Sequence, residues 1–173
     1  QAIAFAPAFI ELGRQLDTAG RIEEGIAVLE SGLDLMPDSA DLRMGLGHFQ
    51  IKCNDRTKAR ALFMAVRAAA PQRYDAMVAL AQVMALDGDY ADAVDLYRYA
   101  LALQPADALT RINLGKCLLE LGERDAGEAT LRAASRNAAP MAGRAMTALA
   151  AAPHGRFFLR PSDAVKFLRG DKT

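Results

Sequence analysis

The sequence predicts an all-α fold, an α-solenoid of stacked helix pairs, and three observations predict it. First, one skeleton of small and large residues returns at a fixed step of 34 residues. Leu12-Gly13, Leu46-Gly47, Leu80-Ala81 and Leu114-Gly115 open successive frames, and Gly20, Asn54, Gly88 and Gly122 follow at one shared offset. Gly25, Ala59, Ala93 and Gly127 come next, then Leu29, Phe63, Tyr97 and Leu131. Pro37, Pro71 and Pro105 close three frames, and Pro140 stands one place late in the fourth. Self-similarity at this period belongs to helical repeat arrays. Second, each frame holds two stretches of helical periodicity joined by a tight turn, as at Asp87-Gly88-Asp89. Third, no stretch alternates in the manner of a strand.

The elements follow in order. Residues 1–6 are short and apolar and read as the remnant of an earlier helix. The first helix runs from about Pro7, a favourable first-turn residue, to Ala19, with Gly20 closing it. Its partner runs from Ile22 to about Met36, with Leu29 and Leu33 one turn apart on the buried side. Gly25 and Gly32 inside it cost about 1 kcal/mol each against alanine. Pro37-Asp38-Ser39 stops this helix and caps the next, which reaches about Lys52. Asp55 is placed to cap a helix carrying Ala59, Phe63 and Val66. The third pair spans about Arg73 to Leu86 and then a helix capped by Asp89 with Ala93, Leu96, Tyr97 and Leu101. Asp107 caps the next helix, which ends near Gly122, and Arg124 to about Arg136 forms its partner. A further helix is expected at about Met141–Ala151. After the turn Pro153-His154-Gly155, the cluster Arg156-Phe157-Phe158-Leu159-Arg160 precedes a short helix, Asp163–Arg169, capped by Ser162 and ended by Gly170. Left in water, that cluster with Phe167 and Leu168 would form an apolar patch of the kind soluble monomers rarely show. The expectation is that the short helix folds back on the two helices before it and caps the stack; the alternative is that it reaches a partner, either a neighbouring chain's groove or a further domain.

At the recurring positions the sequence resembles the tetratricopeptide repeat (TPR) family, over roughly residues 6–141. In that frame the repeats fall at about 6–39, 40–73, 74–107 and 108–141, with a degenerate capping repeat at about 142–169, all within one TPR domain spanning 1–173. The resemblance implies a right-handed superhelix of helix pairs, A and B, whose A helices line a concave groove. It implies a protein–protein interaction scaffold that binds a peptide or helix of a partner there. Carried onto this frame, the exposed stripes of the A helices include Arg14, then Met44, His48 and Ile51, then Val78 and Gln82, then Ile112, Asn113 and Lys116. Ile10 and Asp17, Asp41 and Gly45, Ala79 and Ala85, and Leu109 complete those stripes, and a buried-core reading competes with the groove reading for Met44, Ile51, Val78 and Ile112. One branch of the family grips a C-terminal carboxylate with lysine, arginine and asparagine on consecutive A helices. The matching places here hold Ile10, Arg14, Gly45, Asp75 and Ala79, so that clamp is not expected. The mixed, apolar middle of the groove favours an amphipathic helix or an extended apolar segment.

Composition narrows the function classes. Twenty-one basic residues balance 21 acidic ones, so the chain has no broad attraction for nucleic acid or anionic membranes. The basic residues Arg156, Arg160, Lys166, Arg169 and Lys172 read as a solvated tail. No apolar run approaches the roughly 20 residues that span a membrane. Cys53 and Cys117 fall on different helices, too far apart for a disulfide, and two unpaired thiols suit a reducing, cytoplasmic compartment. His48 and His154 have neither a metal-ligand spacing nor a catalytic partner. Gly13, Gly47 and Gly115 read as packing glycines, since a phosphate loop would follow a strand. No catalytic residue, metal or cofactor is expected. Two other readings stand beside the scaffold. The chain can be the TPR module of a larger bacterial enzyme, such as a methyltransferase or glycosyltransferase, and beginning at Gln1 is compatible with that. Or it can be a self-assembling protein, a homo-oligomer in which stack ends dock on each other.

Overall fold

The computed structural model describes residues 5–137, 139–156, 158 and 160–170. Among them are ten α-helices and no strand. They are α1 (Ala6–Thr18), α2 (Ile22–Leu35), α3 (Ala40–Lys52), α4 (Arg56–Ala69), α5 (Tyr74–Asp87), α6 (Tyr90–Leu103), α7 (Ala108–Glu120), α8 (Arg124–Asn137), α9 (Ala142–Ala151) and α10 (Pro161–Arg169). The described residues form two compact units, divided between Val83 and Met84. The first holds α1 to α4 and α5 as far as Val83. In it α2 packs on α1 and α3, and α3 also packs on α1 and α4. The second holds α6 to α10, in which α7 packs on α6, α8 and α9.

The recurring residues do one job each. Gly20, Asn54, Gly88 and Gly122 all have positive φ, at 73°, 59°, 88° and 80°. Each reverses the chain between the two helices of a pair, and this left-handed conformation suits glycine or asparagine and penalises other side chains. The prolines act at the other turn. Pro37, Pro71 and Pro105 each lie two residues beyond a helix end. The residues before them, Met36, Ala70 and Gln104, are driven out of the helical region. Ser39 accepts from the Leu42 N–H, Asp55 from the Lys58 N–H and Asp107 from the N–H groups of Leu109 and Thr110, as capping side chains do. Arg43 and Arg111 stand at the same repeat position, and each donates to the carbonyl of the proline six residues before it, Pro37 and Pro105.

The opening glycine of a frame makes room for the large residue 16 positions on. A Cβ on Gly13 would meet Leu29 at 3.4 Å, one on Gly47 would stand 2.5 Å from the Phe63 ring, and one on Gly115 would stand 2.7 Å from Leu131. Leu29, Phe63 and Leu131 are 1%, 0% and 0% exposed. Fully burying such a side chain contributes about 1.5–3 kcal/mol. The first unit's core gathers Leu29, Leu42, Leu46 and Phe49, with Phe9 and Ile26 packed against it. The second unit's core gathers Ile112, Leu119, Leu131, Ala134, Ala145, Ala148, Leu149 and Leu168.

The C-terminal segment folds back as expected: α10 packs on α8 and α9. Ala164 and Leu168 are each 1% exposed, and Phe158 and Phe167 cover the same core. The reversal passes through Pro153-His154-Gly155. A Cβ on Gly155 would lie 1.8 Å from the Leu149 carbonyl oxygen, which itself accepts from the Arg156 N–H at 2.9 Å. Arg156 then reaches the carboxylate of Glu128, 5% exposed, at 3.0 Å, and Arg124 meets the same carboxylate at 3.1 Å. The Arg132 and Arg156 guanidiniums lie 4.8 and 4.6 Å from the Phe167 ring centre, within cation–π reach.

Several local expectations are corrected. Ser162 is not the cap of the last helix: Arg160 is the N-cap residue and Pro161 takes the first turn, where its missing N–H costs nothing. Asp89 sits at the N-cap of α6 but its carboxylate makes no capping bond. The helix expected from Met141 starts at Ala142, after a 3-10 turn over Ala139–Met141. Gln1–Ala4, Phe157, Leu159 and Lys172, singled out from the sequence, lie outside the described residues.

Candidate functional site

The A helices of the frame are α1, α3, α5 and α7, and the structure places the expected stripe residues as follows. In the first unit Arg14, His48 and Gln82 are exposed, Ile51 and Val78 are half-buried, and Met44 is buried at 5% exposure. In the second, Lys116 is exposed, Asn113 is half-buried, and Ile112 is 3% exposed as part of the core. The A helices after the first bury residues around much of their circumference, which is why Met44 and Ile112 serve packing while lying on the stripe.

The first unit has a pocket of about 190 Å³ between α1 and α3. Ile10, Arg14 and Asp17 line it from one helix and Gly45, His48 and Lys52 from the other, over Leu29 and Phe49. Its charges are already satisfied. Arg14 forks onto Glu11 at 2.7 and 2.9 Å, and this bond holds the Glu11 carboxyl down at about 2. Lys52 donates to Asp17 at 2.5 and 2.6 Å, bridging α3 to α1. The His48 Nδ1 lies 2.7 Å from the Met44 carbonyl oxygen and its ring meets Phe63 edge-on at 5.4 Å. The Nδ1–H therefore donates within its own helix, and the imidazole is fixed in orientation.

The second unit has a larger pocket, about 530 Å³, between α7 and α9. Leu109, Ile112, Asn113 and Lys116 line it from α7, and these are the four stripe residues expected on that helix. Gly143, Arg144, Thr147, Ala148 and Ala151 face them from α9, with Pro140 at one end. Sequence reasoning missed the α9 wall, because four of its five residues are small and carry no pattern of their own, and Arg144 lies beyond the last full repeat. The α7 wall is held from behind: the Asn113 side chain hydrogen-bonds the hydroxyl of Tyr97, 1% exposed, and burial pushes that phenol's pKa well up. Burial likewise pushes the Cys117 thiol up to about 11, which keeps it protonated at neutral pH. A third pocket, about 300 Å³, lies on the other side of α3, lined by Leu46, Gln50, Lys58 and Leu62 among others.

Among the described residues no group of His, Cys, Asp and Glu is arranged to hold a metal ion, and no helix is long and apolar enough to cross a membrane. The α1–α3 and α7–α9 pockets offer mainly apolar walls with a few polar groups set in them.

The family described as Tetratricopeptide repeat matches residues 18–83 and 84–153, most of the chain, and the break between the two matches falls at the division between the two units. No curated protein sequence matches the chain. Among solved structures it resembles MamA, with TM-score 0.71 and 18% identity over 81% of this chain and 82% of that one. It also resembles YrrB, described as a TPR protein with an unusual peptide-binding site, with TM-score 0.71 and 19% identity over 97% and 88%. The pilF protein of Pseudomonas aeruginosa has TM-score 0.75 and 18% identity over 84% and 66%. At these identities the likeness is one of fold.

Proposed function

The chain belongs to the tetratricopeptide repeat family, and from that premise we propose that it is a noncatalytic interaction scaffold whose A-helix faces hold a peptide or helix of a partner protein. The observation that carries the reading is the pocket between α7 and α9: a concave, mainly apolar surface on which Leu109, Asn113 and Lys116 of the stripe stay accessible, over the buried Ile112. The smaller pocket over α1 and α3 repeats the arrangement in the first unit. The peptide site attributed to YrrB supports the same use of the fold. Affinity is expected to be modest, roughly micromolar, or about 8 kcal/mol.

The test is selection of a random dodecapeptide library on the intact protein, followed by NMR mapping of a selected peptide. Amide shifts concentrated on α7 and α9, with or without α1 and α3, support the reading. Shifts confined to α2, α4, α6 and α8, or no peptide selected at all, contradict it.

A further inference from the structure

Resting on that reading, we infer that the segment taken by the α7–α9 pocket is acidic as well as apolar, with Asp or Glu side chains set among leucine-like ones. The pocket is lined by ten residues, of which two are charged, and both of these are cations: Lys116 on α7 and Arg144 on α9. Both are exposed, and neither forms an ion pair among the described residues. Among the described residues no acidic side chain lines this pocket.

This is a local asymmetry, because the whole chain is balanced at 21 basic and 21 acidic residues. It also differs from the pocket over α1 and α3, where Arg14 is taken by Glu11 and Lys52 by Asp17. There an incoming carboxylate would have to displace an existing partner. At Lys116 and Arg144 it would not. Apolar walls concentrate the field of the two cations. A carboxylate arriving there gains charge-assisted hydrogen bonds, and guanidinium can take it in a fork. Leu109, 43% exposed, and the exposed Ala151 supply the apolar contact. A basic segment meets like charge on both walls, so the same two residues reject wrong partners. Nucleic acid fits less well, since among the described residues no aromatic side chain lines the pocket to stack a base.

The experiment extends the library selection to a second target, the double variant Lys116→Glu/Arg144→Glu. Both positions are exposed, so helicity and melting temperature are expected to stay at the parent's values. Selected peptides are measured by fluorescence anisotropy at low salt and in about 1 M salt, where screening shortens to about 3 Å. The parent should select peptides enriched in Asp and Glu. Their affinity should fall about tenfold in the double variant, each exposed pair being worth up to about fivefold, and should weaken in high salt. The double variant should select basic peptides instead. If the parent's peptides map to α7 and α9 yet carry no acidic enrichment, or survive charge reversal unchanged, this inference fails while the scaffold reading stands. If all peptides map to α1 and α3, this inference fails alone; if no peptide is selected, or all map to α2, α4, α6 and α8, or a single-stranded oligonucleotide binds the pocket in their place, both fail.

Discussion

Replacing Leu168 by alanine removes the side chain that anchors α10 to the second unit. Leu168 is 1% exposed, among Leu131 and Leu149, both fully buried, with Phe158 and Phe167 packed over the same cluster. Leucine-to-alanine changes in such sites cost about 2–5 kcal/mol, the spread reflecting how far the site collapses. Here α10 is nine residues long and ends the described chain, so it can settle into the space. The lower part of the range, about 2–3 kcal/mol, is therefore expected. In a unit of this size each kcal/mol moves the melting temperature by about 4–8 °C. The transition of the second unit should fall by about 8–24 °C. Calorimetry gives the shift, and hydrogen exchange should show lost protection in α8 and α9 as well as in α10. Lys166→Ala, an exposed change on the same helix, should stay within about 0.5 kcal/mol of the parent. If Leu168→Ala melts within about 2 °C of the parent, α10 does not cap the unit and the core assignment is wrong.

Gly47→Ala should cost about 1–3 kcal/mol, since its Cβ would stand 2.5 Å from the Phe63 ring, whereas Gly143→Ala meets open space and should be neutral or stabilising by up to about 1 kcal/mol; chemical denaturation of the two variants checks the difference. Alkaline pH should destabilise the second unit through Cys117, whose thiol rises from an ordinary 9.0 to about 11. The unfolded chain ionises this thiol first, so its contribution is intact below about pH 9 and is lost as pH rises from about 9 to 11, by up to about 3 kcal/mol. Melts over that range in Cys117→Ala should show a smaller loss than the parent, with Tyr97 accounting for part of what remains.

Much of the fold was legible because its signals are local and repeated. Gly20, Asn54, Gly88 and Gly122 mark left-handed turns that few residues tolerate, and the sequence shows them at one spacing. The pairings Gly13 with Leu29, Gly47 with Phe63 and Gly115 with Leu131 are likewise visible as a small residue followed at fixed distance by a large one. The repeat also placed the α7 face of the larger pocket. It could not place the α9 face, since Gly143, Thr147 and Ala148 are small residues whose role comes from what stands opposite. For Met44 the sequence left groove and core readings both open, and tertiary packing decides it by burying Met44 while His48, on the same stripe, stays exposed. The buried Glu128 went unremarked because its partner Arg156 is 28 residues away, outside the repeat.

Filling the α7–α9 pocket tests the central claim most directly. Gly143 and Thr147 are exposed, lie one helical turn apart on α9, and face α7 across it. The double variant Gly143→Phe/Thr147→Phe occupies the space without removing a core contact, and circular dichroism and melting temperature should remain those of the parent. Its affinity for a peptide selected on the parent should fall more than about tenfold, or about 1.4 kcal/mol. A folded double variant that binds that peptide as tightly as the parent does would contradict the assignment of this face as the binding site.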